Sequence, residues 1–304
     1  MSTATPAVPA APVPIRPPRE GGVQAKRTGT RIFLLVFALL WMFPLGWAVL
    51  NSFRDYKFTS LNGYLSWGGF TLDNYKNAWE RADFGTHLVN SAIITIPAVI
   101  LTLILSCCIA FVVARFSFRF NLTLLGLFTA ANLLPPQALL IPVFKMFSKV
   151  EVPEWVSDSG TLLNTYWGLI AVNVAFQTGF CAFVLSNYMK TIPKEIYESA
   201  VLDGAGVGRQ FLQLTLPLCR PPLAALATLE VTWIYNEFFW ATVLLTQGSK
   251  FPVTSSLNNL RGEFFIDNNL VAAGSVIVAI PTLVIFFALR SEEHTSELQS
   301  PMYL

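Results

Sequence analysis

The chain has 304 residues, 54% of them hydrophobic and 12% charged, with a mean hydropathy of +0.54. Soluble domains carry about a quarter charged residues, so a water-soluble globular class is excluded and an integral membrane protein is expected. A net charge of +2 gives no global field for holding a nucleic acid, and none is expected as a partner.

In chain order, residues 1–30 open with the Ala- and Pro-rich "TPAVPAAPVPIRPP" and turn basic, with no apolar periodicity. Such a composition cannot bury enough surface to fold, and the segment reads as a disordered tail. Long apolar stretches follow, and a bilayer core needs about 20 apolar residues in helix. Six qualify: Arg31–Phe53, Thr86–Val113, Asn121–Phe147, Leu162–Met189, Leu218–Thr246 and Asn269–Leu289. The first is too long for the apolar region of a cleaved signal peptide, and no small-x-small site follows it. The predicted fold is all-α, a polytopic membrane protein with six transmembrane helices. Pro135-Pro136 and Pro142 are expected to break the third span and Pro97 the second, which lipid tolerates where neighbours or water satisfy the freed carbonyls.

Orientation follows from Lys and Arg in the connections. With the N-terminus inside, Arg16, Arg19, Lys26, Arg27, Arg31, Arg115, Arg119, Lys190, Lys194, Arg209, Arg220 and Arg290 are inner; Arg54, Lys57, Lys76, Arg81, Lys145, Lys149, Lys250 and Arg261 are outer. The bias of twelve to eight puts both termini, and the loop between the fourth and fifth spans, on the cytoplasmic side. The four cysteines, Cys107, Cys108, Cys181 and Cys219, include no CxxC pair, and three lie in apolar runs, so they read as core fillers. No metal or cofactor is expected.

The fourth-to-fifth loop, 190–217, contains "YESAVLDGAGVGRQFLQLTLPLCRPP" at its heart. Pro193 suits the first position of a helix, and no breaker occurs before Gly204, which fits a left-handed terminating position. Ten residues rising about 1.5 Å each make a helix of about 15 Å, too short and too polar to span a membrane. Beyond "GAGVG", Val207, Phe211 and Leu214 fall at i, i+4 and i+7 and predict a second short helix ending at Pro217. On composition alone such a hinged pair is either a hairpin lying on the membrane or a docking knob. A DNA-reading helix-turn-helix fits less well, for want of basic residues.

These residues resemble the EAA motif of ABC importer permeases, in which EAA is followed by three residues, Gly, nine residues and Ile-x-Leu-Pro. Here Glu198-Ser199-Ala200, Gly204, Leu214 and Leu216-Pro217 keep that register, with Ser for the middle Ala and Leu for Ile. From about Arg31 to Arg290 the chain is similar to the carbohydrate-uptake branch, the second permease of maltose-type systems. Asn90-Ser91 at the second span, "LLPPQALLIPVF", "IPKEIYESAVLDGA" and "YNEFFWATVLL" carry the likeness, with Tyr235 where Trp is usual. The resemblance implies a bacterial inner-membrane subunit paired with a second permease in a pseudo-two-fold heterodimer. Two cytoplasmic ATPase subunits and an extracytoplasmic solute-binding protein complete the implied assembly. The loop helix would dock in a cleft of the ATPase, with Glu198 facing a basic group, Asp203 bracing the turn and Gly204 allowing the reversal. ATP-driven closure of the ATPases would then rock the permease between inward-open and outward-open states. The chain has no Walker A pattern, so ATP hydrolysis is expected of the partner and not of this subunit. Disaccharides, oligosaccharides, polyols and glycerol phosphates are all carried by permeases of this kind.

Charged groups at bilayer depth point to a cavity or an interface. Glu230 lies about 18 Å along the fifth span from Leu218, near the midplane. Glu237, seven residues on, is expected on nearly the same face with Asn236 beside it, while Asn173 and Gln177 present two amides from one face of the fourth span. Either the five line a solute path or they hold helices together. An ATP-independent channel or secondary transporter is the alternative reading. An intramembrane enzyme is a poorer one, since HExxH and GxSxG are missing and His87 is the only histidine before the last segment. That segment, "SEEHTSELQSPMYL" at 291–304, departs abruptly from what precedes it and is expected to be non-native, leaving 31–290 as the transmembrane domain.

Overall fold

The computed structural model describes residues 20–116, 119–157, 159–262 and 266–298, so residues 1–19 of the expected tail lie outside the described residues. The chain divides into two units, 1–50 and 51–304. The first contributes one long helix, α1 (Glu20–Ser52), which runs through Pro44 and leaves Phe33, Leu35 and Trp41 exposed. It starts eleven residues before the expected Arg31. A helix once nucleated in the apolar run extends at little further entropic loss through Ala25, Lys26 and Arg27, all tolerant of helix.

The second unit is built from helices, with two isolated bridges as the β pairing among the described residues. Short helices α2 (Tyr56–Asn62) and α3 (Asp73–Arg81) lead into α4 (Phe84–Arg115), which passes through Pro97 without the expected break. The third expected span is two helices, α5 (Asn121–Asn132) and α6 (Pro136–Phe147), bent by 100°. Pro135 at the N-cap and Pro136 at N1 cause that break, since neither can donate back to the preceding turn, whereas Pro142 is absorbed inside α6. Next comes α7 (Tyr166–Met189), capped by Thr165, whose hydroxyl accepts the Gly168 N–H at 3.0 Å.

The fifth expected span is also divided, into α11 (Arg220–Tyr235) and α12 (Phe239–Leu244). At about 1.5 Å per residue α11 reaches about 24 Å, short of a hydrocarbon core of about 30 Å. A single turn, α13 (Val253–Ser256), precedes α14 (Asn268–Leu298), which continues past Arg290 into the segment expected to be foreign. Among the described residues four helices are long and apolar enough to cross a membrane, or five if the bent pair is one span. Six spans require α11 and α12 to be counted together.

Helices α4 and α7 run parallel. Asn90 Oδ1 accepts the Tyr166 hydroxyl at 2.7 Å near their starts, and the Ser106 hydroxyl donates to the Thr178 carbonyl at 3.0 Å midway. Near-constant separations of 76 and 72 residues fix the register. Gly179 lets α5 press on α7: a Cβ there would meet Phe128 Cβ and Asn132 Nδ2 at 3.0 Å. Asn90 also donates to the carbonyls of Ser249 and Phe251, and Ser91 accepts the Val253 N–H, so the pair that opens the second span ties α4 to the segment after α12. Cys107, Cys181 and Cys219 are buried in one cluster with Phe111, Leu185, Met189, Tyr197 and Leu226, packed as thiol-bearing core residues. That cluster joins the ends of α4 and α7 to the loop beyond.

Candidate functional site

The loop folds as the local sequence dictates. Pro193 is the N-cap of α8 (Lys194–Leu202), and Gly204 ends it at φ +78°. The Ala205 N–H reaches the Ala200 carbonyl at 2.8 Å and the Gly204 N–H reaches Val201 at 3.0 Å, which is the Schellman arrangement. Nothing lies within 4 Å of where a Cβ of Gly204 would be, so glycine is needed for its backbone angle and not for space. These backbone bonds brace the turn. Asp203, expected to brace the turn, is the C-cap residue of α8 and contributes its N–H to the Ser199 carbonyl at 3.0 Å. Glu198 and Ser199 are exposed; the Ser199 hydroxyl bonds back to the Glu195 carbonyl, within its own helix.

The second arm differs from the expected amphipathic helix. A single turn, α9 (Val207–Arg209), passes into a π-helical segment (Gln210–Thr215) and then α10 (Leu216–Leu218). The wider π turn rotates the face: Val207 is exposed, while Gln210 and Thr215 are buried beside partly buried Phe211 and Leu214. The arm does not end at Pro217, because a shift of bonding register leaves room for a residue without an N–H. It ends at Cys219, ahead of Pro221-Pro222 in the first turn of α11.

Polar struts that the sequence reading missed hold the two arms together. Tyr197 and Thr215 hydroxyls are hydrogen-bonded at 3.0 Å in a buried position, and Thr215 donates to the Gln210 carbonyl at 3.1 Å. The Gln210 side chain donates to the Ala205 carbonyl at 2.8 Å, closing on the turn itself. The arms are fixed in turn to the membrane helices. Phe211 meets Phe111 of α4 at 5.1 Å between ring centroids, the Arg115 guanidinium lies 4.9 Å over the Tyr197 ring, and the Tyr188 hydroxyl of α7 donates to the Leu218 carbonyl. The signal that could have revealed this was the pair Gln210 and Thr215, polar residues five apart inside an apolar arm. The assembly is an exposed face carrying Glu198 and Ser199, backed by a clamp onto two long helices.

The five polar residues of the fourth and fifth spans do not form one group. Glu230 is fully buried between α11 and α7, where Cys181 Sγ donates to Oε1 at 3.1 Å and Oε2 has no partner. Glu237 does not share its face, because α11 ends at Tyr235; its carboxylate accepts the N–H groups of Trp240 at 2.8 Å and Ala241 at 3.0 Å and so caps α12. Asn173 is buried with its amide donating to Leu169 of its own helix, while Gln177 is half-buried. Asn236 is exposed and bonds back to Thr232. Tyr235, at the position where the resemblance gives Trp, is buried and donates its hydroxyl to the Val278 carbonyl of α14 at 3.1 Å.

Comparisons with known proteins follow the same lines. The family model described as "Binding-protein-dependent transport system inner membrane component" matches residues 106–291. A probable ABC transporter permease protein of Pyrococcus horikoshii is 31% identical over 252 residues, 82% of this chain and 87% of that one. The diacetylchitobiose uptake system permease protein NgcG of Streptomyces coelicolor is 28% identical over 255 residues, 83% and 81% of the two chains. In fold, the chain is similar to a crystal structure of a bacterial ABC transporter involved in the import of the acidic polysaccharide alginate, with a TM-score of 0.73 at 20% identity over 91% of this chain and 99% of that one. On the family match and the relative at 31% identity, the chain belongs to the inner membrane components of binding-protein-dependent transport systems.

Proposed function

We propose that this chain is the permease subunit of an ATP-driven sugar importer, with the loop at 190–217 as the part that couples it to a cytoplasmic ATPase. The observation that carries this reading is the Tyr197–Thr215 clamp, which ties the two short arms together within the buried cluster that also holds the ends of α4 and α7. Glu198, Ser199 and Ala200 form the docking face, Gly204 sets the reversal, and Leu216 and Pro217 join the arm to α11. The names of the relatives support a sugar, since one is a diacetylchitobiose permease and the fold neighbour belongs to an alginate importer. A second permease, two ATPase subunits and an extracytoplasmic binding protein complete the complex, with α11 and α12 acting as one of six spans and both termini in the cytoplasm. Of the polar residues, Gln177 and Asn236 are assigned to the solute path, while Asn173 bonds within α7, Glu230 is buried against Cys181 and Glu237 caps α12.

The test is reconstitution with the partner permease and ATPase, measuring solute uptake and ATP hydrolysis together. Gly204→Asp puts a side chain at φ +78°, a strain of about 1–2 kcal/mol with no steric clash, so the protein inserts while hydrolysis no longer drives uptake. Normal coupled uptake by that variant would overturn the assignment.

A further inference from the structure

Beside the docking face, a cavity of about 300 Å³ opens between the C-terminal ends of α4 and α7 and the start of α8. Its charged lining is Arg115, Lys190 and Lys194, and its apolar wall includes Phe111, Met189 and Tyr197. Arg115 is held over the Tyr197 ring, which fixes its guanidinium without neutralising it. Among the described residues none of the three cations is ion-paired with a carboxylate. The half-charges at the ends of α4 and α7 offset part of this positive charge, while the start of α8, with no side-chain cap, adds to it. Glu195, the acid in that first turn, is exposed and does not line the cavity. Three cations lining one cavity call for an anion with several acceptor oxygens, and phosphate has that chemistry.

The depth of the cavity says which phosphate. It sits at the ends of two helices long and apolar enough to cross a membrane, where lipid headgroups lie, and Phe111, Ala114, Met189 and Ile192 give it an apolar wall beside its cations. We propose that it binds the phosphate of an anionic phospholipid from the leaflet on the α8 side. The bound lipid then bridges α4, α7 and α8 at the base of the clamp. The proposal rests on the membrane location of the family and is independent of ATP coupling.

The experiment uses the full chain in its assembled complex, purified in mild detergent, with short-chain phosphatidylglycerol as the probe and phosphatidylcholine of equal chain length as the control. The variant is Lys190→Gln/Lys194→Gln, which spares Arg115 and its ring contact. Removing two cations is expected to weaken phosphatidylglycerol binding by about tenfold or more and leave phosphatidylcholine unchanged. Lys190→Arg/Lys194→Arg restores it, which separates loss of charge from loss of folding. Equal binding of phosphatidylglycerol by parent and Gln variant overturns the proposal. So does displacement of the lipid by equimolar inorganic phosphate, which would mark a free-anion site, or loss of the ATPase from the Gln variant with lipid binding intact, which would mark a protein contact.

Discussion

Gly204 and Glu230 show how differently single residues can be read. Gly204 was legible from sequence because its reason is local: a helix with no breaker needs a left-handed residue to stop, and the backbone there sits at φ +78°. Glu230 was legible as a buried charge but not as a pair, because Cys181, its partner, is 49 residues away on another helix. Its Oε2 has no hydrogen bond, so a thioether of similar shape would lose little and leave no orphan oxygen. Glu230→Met is expected to stabilise the protein by about 1 kcal/mol or more, read as a higher unfolding midpoint in detergent, with the KM for uptake unchanged. A raised KM would place Glu230 in the solute path. Glu237 is the opposite case: the same residue type, seven positions on, accepts two backbone N–H groups and ends a break in the helix.

At the scale of elements, α8 matched its expected bounds closely, while the arm after it did not. Hydrophobic spacing reveals a period of 3.6 residues, but a π segment changes the hydrogen-bond register without altering composition, so nothing in Val207, Phe211 and Leu214 announces it. The consequence is that Gln210 and Thr215, not Val207, face inward. Deleting Gln213, an exposed residue in the middle of that segment, removes the extra residue and returns the arm to α-helix. It swings the Thr215 hydroxyl away from Tyr197, and the expected result is a protein that inserts normally, binds its ATPase weakly and transports nothing. Full uptake by the deletion variant would show that the clamp is dispensable. The same limit of sequence reading explains the third and fifth spans. Apolar content marked both stretches as candidate spans, but whether a proline bends a helix depends on what surrounds it: Pro97 and Pro142 sit within helices, and Pro135-Pro136 starts a new one.

For the whole molecule, composition had already settled the solvent. Exposed Ile96, Ile100 and Ile104 on α4 and Leu283, Val284 and Phe287 on α14 form apolar surfaces that water cannot solvate, as a membrane protein requires. What composition could not give was the division of spans, because α11 is short and its continuation is set by a break at Asn236. Sidedness is testable with native thiols that help the experiment: Cys107, Cys181 and Cys219 are buried and Cys108 lies in the apolar run of α4. Glu198→Cys in intact cells is therefore expected to react with a membrane-impermeant maleimide only after permeabilisation. Labelling in intact cells would reverse the topology and with it the coupling role.

One rod of the fold links events that no side chain could link alone. Helix α4 is 32 residues, about 48 Å from end to end, and it is fastened at both extremes. At the first, His87, Asn90 and Ser91 grip the strip from Ser249 to Val253; at the second, Phe111 and Arg115 stack on Phe211 and Tyr197. A shaft anchored this way cannot shift along its axis without disturbing both sets of contacts, those with the strip after α12 and those with the arms around α8.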